Sequence, residues 1–199
     1  MSGIVGSKLN IRGSGLVGSL GTDGQHLLSA GAGVTNVFET AEAGGITMAD
    51  QWRLHTSFTG DASPIASNLE QVDTDGFGAI GSAMTESSGI FTFPSTGVYL
   101  IQAVFQAALP GDDRVIHGNI DTTTDDSSYD TAAGNSTFIQ QTSSNNTYAT
   151  SYTSFMFDVT DTSTHKCKFL AISANQSTVH GGSSGSNGTF FTFIRLGDT

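Results

Sequence analysis

One cysteine, Cys167, stands in 199 residues, so no disulfide can close within the chain. Stability must come from packing or from association. Positive charge is scarce as well. Lys and Arg number 7 against 18 Asp and Glu, a formal charge of -11, and no basic patch able to neutralise many phosphates can be built from them. Nucleic acid and anionic membranes are not expected as partners. No run of about 18 apolar residues reaches the length of a bilayer span, and no charged segment leads into an apolar one behind Met1. A soluble chain without membrane insertion is expected. Charged residues are only 13% of the chain, too few for salt-bridged surface helices, whereas Gly numbers 25. Such a composition suits short strands joined by many turns and predicts an all-β protein.

A chain of this length buries roughly 70% of its unfolded surface, enough for one core with an arm left over. Residues 1–45 read as that arm. Their apolar residues Ile4, Val5, Leu9, Ile11, Leu16, Val17, Leu20, Leu27 and Leu28 stand between glycines, which raise the entropic cost of ordering. Such a segment makes no core of its own and is expected to lie on a partner, with these nine residues as the docking contacts. Gly15, Gly18, Gly21 and Gly24 fall every third residue, the collagen spacing, but the run is short and holds no proline. Extended, turn-rich backbone is the plainer reading.

Residues 46–199 form the second domain. Apolar segments of strand length, broken by Gly, Pro, Asn and Asp clusters, predict an antiparallel sandwich. Strands are expected at 51–58, 89–93, 98–109, 114–122, 136–144, 148–160, 165–174 and 189–196. Pro94 and Gly97 in "FPSTG" mark a turn, because Pro lacks an amide donor and Gly admits positive φ. In "TFFTFIRL" one alternating set is Phe190, Thr192, Ile194 and Leu196 and the other is Phe191, Phe193 and Arg195. A sheet with one solvated face does not explain this, so both faces are expected to meet protein.

Reactive chemistry is hard to find. His26, His55, His117, His165 and His180 show no zinc spacing and are expected to be surface or satisfied residues. Cys167 in "KCKFLAI" reads as a small buried apolar residue. "DTDG" at 73–76 opens like a calcium loop, but Met84 stands where the bidentate acid is required. Asp112, Asp113, Asp125, Asp126 and Asp130 are expected to be solvated loop carboxylates rather than a calcium site. Tyr129, Tyr148, Asn145 and Asn146 read as turn residues, with contact to a glycan or receptor as the alternative. No nucleophile elbow, phosphate loop or carboxylate pair is present, so neither enzymatic activity nor any cofactor or metal is expected.

The segment "GIFTFPSTGVYLIQAVF" resembles the entry to the long third strand in the superfamily of tumour necrosis factor and the complement globular heads. "YTSFMFDVTDTSTHKCKFLAIS" is similar to that family's penultimate hairpin, and "GTFFTFIRL" to its aromatic closing strand. The resemblance implies an antiparallel jelly-roll sandwich of ten strands that associates as a homotrimer. It places Leu100, Gln102, Val104, Tyr152, Ser154, Met156, Phe190, Ile194 and Leu196 at the threefold interface. Tyr99, Ile101, Phe157, Val159, Phe191 and Phe193 become core, and Gln102 stands where the family pattern favours an aromatic. In the arm, "GTDGQHLLSAGAGVTNVFETA" resembles a glycine-rich element near the attachment regions of tailed-phage fibre proteins, and residues 50–97 are similar to segments in fibre-like proteins of marine phages. Together these imply a virion-surface protein assembled in the host cytoplasm, docked on a capsid or tail protein by its arms. Capsid decoration or head fibre is the first expectation. A short tail fibre recognising host-surface glycan or protein is the alternative.

Overall fold

The computed structural model of the chain describes residues 10–11, 15–16, 22, 25–28, 37–40 and 45–199. The chain divides into two units, Met1–Gly45 and Ile46–Thr199. In the first, β1 (Asn10–Ile11) pairs with β2 (Gly15–Leu16), and β3 (Gln25–Leu28) pairs with β4 (Val37–Thr40), both antiparallel. The side chains of Leu27 and Leu28 are exposed.

The second unit is built from β5 (Ala49–Leu54), β6 (Thr56–Thr59), β7 (Leu69–Gln71), β8 (Thr85–Ser87), β9 (Ile90–Thr92), β10 (Gly97–Leu109), β11 (Asp113–Thr123), β12 (Asp130–Ile139), β13 (Thr147–Val159), β14 (Lys166–Ser173), β15 (Val179–Ser183) and β16 (Phe190–Gly197). No described residue is helical. One antiparallel sheet runs β6-β15-β10-β16-β5-β7, with β13 on the other edge of β10, and a second runs β12-β11-β14-β9-β8. The chain passes between the sheets at residues 93–96, where Pro94 stops one strand and Gly97, at φ +143°, opens the next.

Between the sheets lies an aromatic core. Phe169 of β14 stacks on Phe191 of β16 with ring centroids 3.7 Å apart, and Phe91 meets Trp52, Phe169 and Phe191 edge-on. Each fully buried Phe contributes about 1.5–3 kcal/mol over an exposed one. Tyr99, Ile101, Phe157, Val159, Phe191 and Phe193 are all buried, as expected, and so is Cys167, whose thiol pKa is pushed up by that burial. Gly118 of β11 is required beneath Phe105 of β10, because any Cβ there would strike its ring.

The strand boundaries differ from expectation in three places. Segment 51–58 is two strands, since β5 bonds β16 and β7 up to Leu54 while β6 bonds β15, and one straight strand cannot serve both. The strand expected at 136–144 is β12 and begins at Asp130, paired to β11 through two register shifts. Strands β7, β8 and β15 lie outside the expected segments. The last, "VHGGS", has low strand propensity, yet Gly182 is the residue its place demands, because a Cβ there would lie 2.5 Å from the Thr56 carbonyl carbon.

Candidate functional site

The long sheet turns one face to the core and the other outward. From Gly97 to Ala107 burial on β10 alternates, so Tyr99, Ile101, Ala103 and Phe105 point in while Leu100, Gln102 and Val104 point out. Register carries these outward positions across four strands. Met156, Leu100, Ile194 and Ala49 form one apolar row from β13 through β10 and β16 to β5. Ser154, Gln102, Thr192 and Gln51 form the next, polar row, and Tyr152, Val104, Phe190 and Arg53 the third.

Met156 is 64% exposed and Tyr152 47%, so this face is open in the single chain. The polar row is bonded both within itself and to the third row. Gln102 Nε2 donates to Tyr152 Oη at 2.8 Å, and Gln51 Nε2 to Thr192 Oγ1 at 2.8 Å. Arg53 is the sole charged residue of the three rows, and it is 1% exposed, with Nε 2.7 Å from Glu70 and Nη2 2.8 Å from Asp73. A half-apolar surface whose three rows hold no unpaired charge, on a chain of charge -11, is the kind that a protein partner covers.

Leu100, Gln102, Val104, Tyr152, Met156, Phe190 and Ile194, together with Ser154, thus share one face. Leu196 is 52% exposed and sits at a register shift of the β10–β16 ladder, which leaves it without a partner on β10. Arg195, just before the shift, still stands opposite Tyr99, and its guanidinium bonds the Thr96 carbonyl and Asp198. Ala49, Gln51 and Thr192 also belong to the face, beyond the residues that the resemblance places there; for Thr192 the alternation of "TFFTFIRL" carries the signal. Of the arm residues, Ile11 lies in β1, Leu16 in β2, and Leu27 and Leu28 in β3; Ile4, Val5, Leu9, Val17 and Leu20 fall outside the described residues.

Several polar residues depart from expectation. Asp113 is no solvated loop carboxylate: it opens β11, is 1% exposed and accepts from Thr178 Oγ1 at 2.6 Å. His180 is no satisfied histidine. It is buried, its Nε2 meets Ser173 Oγ at 3.0 Å, and its Nδ1 has no partner among the described residues. Desolvation lowers its pKa, against the raising influence of Asp61 and Asp113. Asp125 does sit in a loop, where the Ser128 and Ser127 amides and the Thr123 hydroxyl hold its carboxyl well below the usual range. Among the described residues no three His, Cys, Asp or Glu side chains converge as a metal site would require. Tyr148 lies on β13 rather than in a loop, and the ring of Tyr129 carries the Lys168 ammonium 4.2 Å from its centroid.

No family model and no curated protein matches the chain. Solved structures do. Murine APRIL at pH 5.0 is 13% identical with a TM-score of 0.51, over 75% of this chain and 98% of that one. Eiger TNF from S. frugiperda is 12% identical with a TM-score of 0.52, over 78% of this chain and 96% of that one. At such identities the likeness is one of fold: the chain carries an antiparallel jelly roll of the tumour necrosis factor type.

Proposed function

We propose that the protein is a non-enzymatic structural component of a tailed-phage virion, a homotrimer whose heads (46–199) associate through the three-row face and whose arms (1–45) dock on the particle. The observation that carries the trimer is the register itself, which sets an apolar row and a largely apolar one on either side of a bonded polar row, with the one charged member, Arg53, paired and Asp158 beyond the rows on β13. A closed threefold ring covers the β13–β10–β16 part of that face in every subunit at once and leaves its β5 edge open. Three arms on one ring then bind with avidity, so each arm contact can be weak. The virion role rests on the glycine-rich element of the arm, and it is read as capsid decoration or head fibre.

Light scattering on the full chain is expected to return three times the 20.6 kDa of one chain. A stable single-chain mass overturns the trimer. Labelled antibody on intact particles tests the rest: label on heads supports decoration, and no label on any particle overturns the virion role. Label on tails favours a second reading, a short tail fibre tip that recognises the host surface. The specific observation in favour of that reading is a polar cleft beside Arg53.

A further inference from the structure

A cleft of about 460 Å³ opens at the β5–β7 edge of the long sheet, between residues 72–77 and 185–187. Its volume lies inside the roughly 300–1,000 Å³ range of small-ligand sites. The floor is built and rigid. Arg53, 1% exposed, spends its Nε on Glu70, its Nη2 on Asp73 and its Nη1 on Thr74 Oγ1 at 2.9 Å. One wall is the half-buried ring of Phe77, set by a turn in which Asp75 and Gly76 both have left-handed φ and the Phe77 amide bonds the Thr74 carbonyl. The opposite wall carries Ser186 and Asn187, whose Nδ2 donates to Gln51 Oε1 at 2.6 Å.

From this chemistry we infer that the cleft is a binding site for a neutral saccharide. A sugar ring presents one apolar C–H face and a rim of hydroxyls that both donate and accept. Phe77 supplies the flat apolar surface for the first. For the rim, Asn187 keeps its carbonyl oxygen and one amide hydrogen, Ser186 its hydroxyl, Asp75 its carboxylate and Thr74 its own hydroxyl hydrogen. Asn187 and Thr74 are held in place by bonds to Gln51 and Arg53, so little rotamer entropy is lost on binding. Charge sets the specificity. The guanidinium is matched by two carboxylates, and Asp75 adds a further negative charge to the lining. Anionic sugars such as sialic and uronic acids are therefore repelled, while neutral hexoses are not. The site rests on the host-recognition reading and does not need the trimer.

Saturation-transfer NMR on the full chain, with methyl glycosides of glucose, galactose, mannose and N-acetylglucosamine beside sialic and glucuronic acids, tests the site. At least one neutral glycoside is expected to bind in the millimolar range and neither acid to bind. Asn187→Ala and Phe77→Ala should each weaken that binding about tenfold, with the light-scattering mass unchanged. Asn146→Ala, in the loop before β13, should leave it intact. Absence of binding by every neutral glycoside overturns the site, as does a preference for the acids. Binding that survives both cleft variants, or is lost in Asn146→Ala, also overturns it. A chain that binds the sugar but scatters as one subunit overturns the trimer and leaves the site standing.

Discussion

Gln102 on β10 donates its amide hydrogen to the hydroxyl of Tyr152 on β13 at 2.8 Å, a diagonal contact, since the residue directly opposite Gln102 is Ser154. The bond ties the polar row to the apolar row beside it. It also fixes a half-buried glutamine in the surface, which suits a face that is covered on assembly better than one that stays in water.

Tyr152→Asp and Ile194→Asp each place a charge in the middle of that face. Burying it unpaired costs about 3–5 kcal/mol, repeated at three contacts. The mass by light scattering is expected to fall to that of one chain, with the circular dichroism of the head unchanged.

Removal of residues 1–45 is expected to leave the oligomer mass of the head intact and to abolish co-sedimentation with particles. If the shortened chain also falls to one subunit, the arm belongs to the trimer contact and the division of labour between the two units is wrong.

Phe191→Ala removes the ring that stacks on Phe169 and meets Phe91 and Phe105 edge-on. Large-to-small changes at such sites cost about 3–5 kcal/mol, to be read as a shift of the urea midpoint. Phe191→Leu should recover much of that loss.

Stability should fall as pH drops below 6.5, the ordinary value for His180, because burial lowers that pKa in the folded chain. Between the folded and the ordinary value the unfolded chain binds the extra proton, so the stabilisation is complete above the ordinary value and is lost on descending towards the folded one. Asp61 and Asp113 limit the shift by favouring the protonated ring. Urea midpoints of the parent and of His180→Asn across this window should converge as pH falls. Parallel curves would remove His180 as the cause.

Much of the head is legible in its sequence. The alternation of "VYLIQAVF" separates Tyr99, Ile101, Ala103 and Phe105 from Val98, Leu100, Gln102 and Val104, and the two sets do face opposite ways. The rest is carried by partners far along the chain. Asp50 looks like an ordinary exposed acid, yet it is 2% exposed and accepts from the Gln51 and Met84 amides, the Trp52 indole and the Gln71 side chain. The cleft walls, residues 72–77 and 185–187, lie on either side of the head sequence and carry no shared motif.

The sequence by itself determined the all-β class, the absence of disulfides, the turn at Pro94 and the two-sided apolar character of the closing strand. Each is local, since period-two alternation and turn chemistry act within a few residues. Only the tertiary structure decided that Leu100 lies between Met156 and Ile194, that Arg53 is sealed by Glu70 and Asp73, and that His180 is buried with a bare nitrogen. Register joins strands many residues apart, and a slip of one residue would turn every side chain to the other face. The energy that selects it resides in the packed core, which no short stretch of the chain contains.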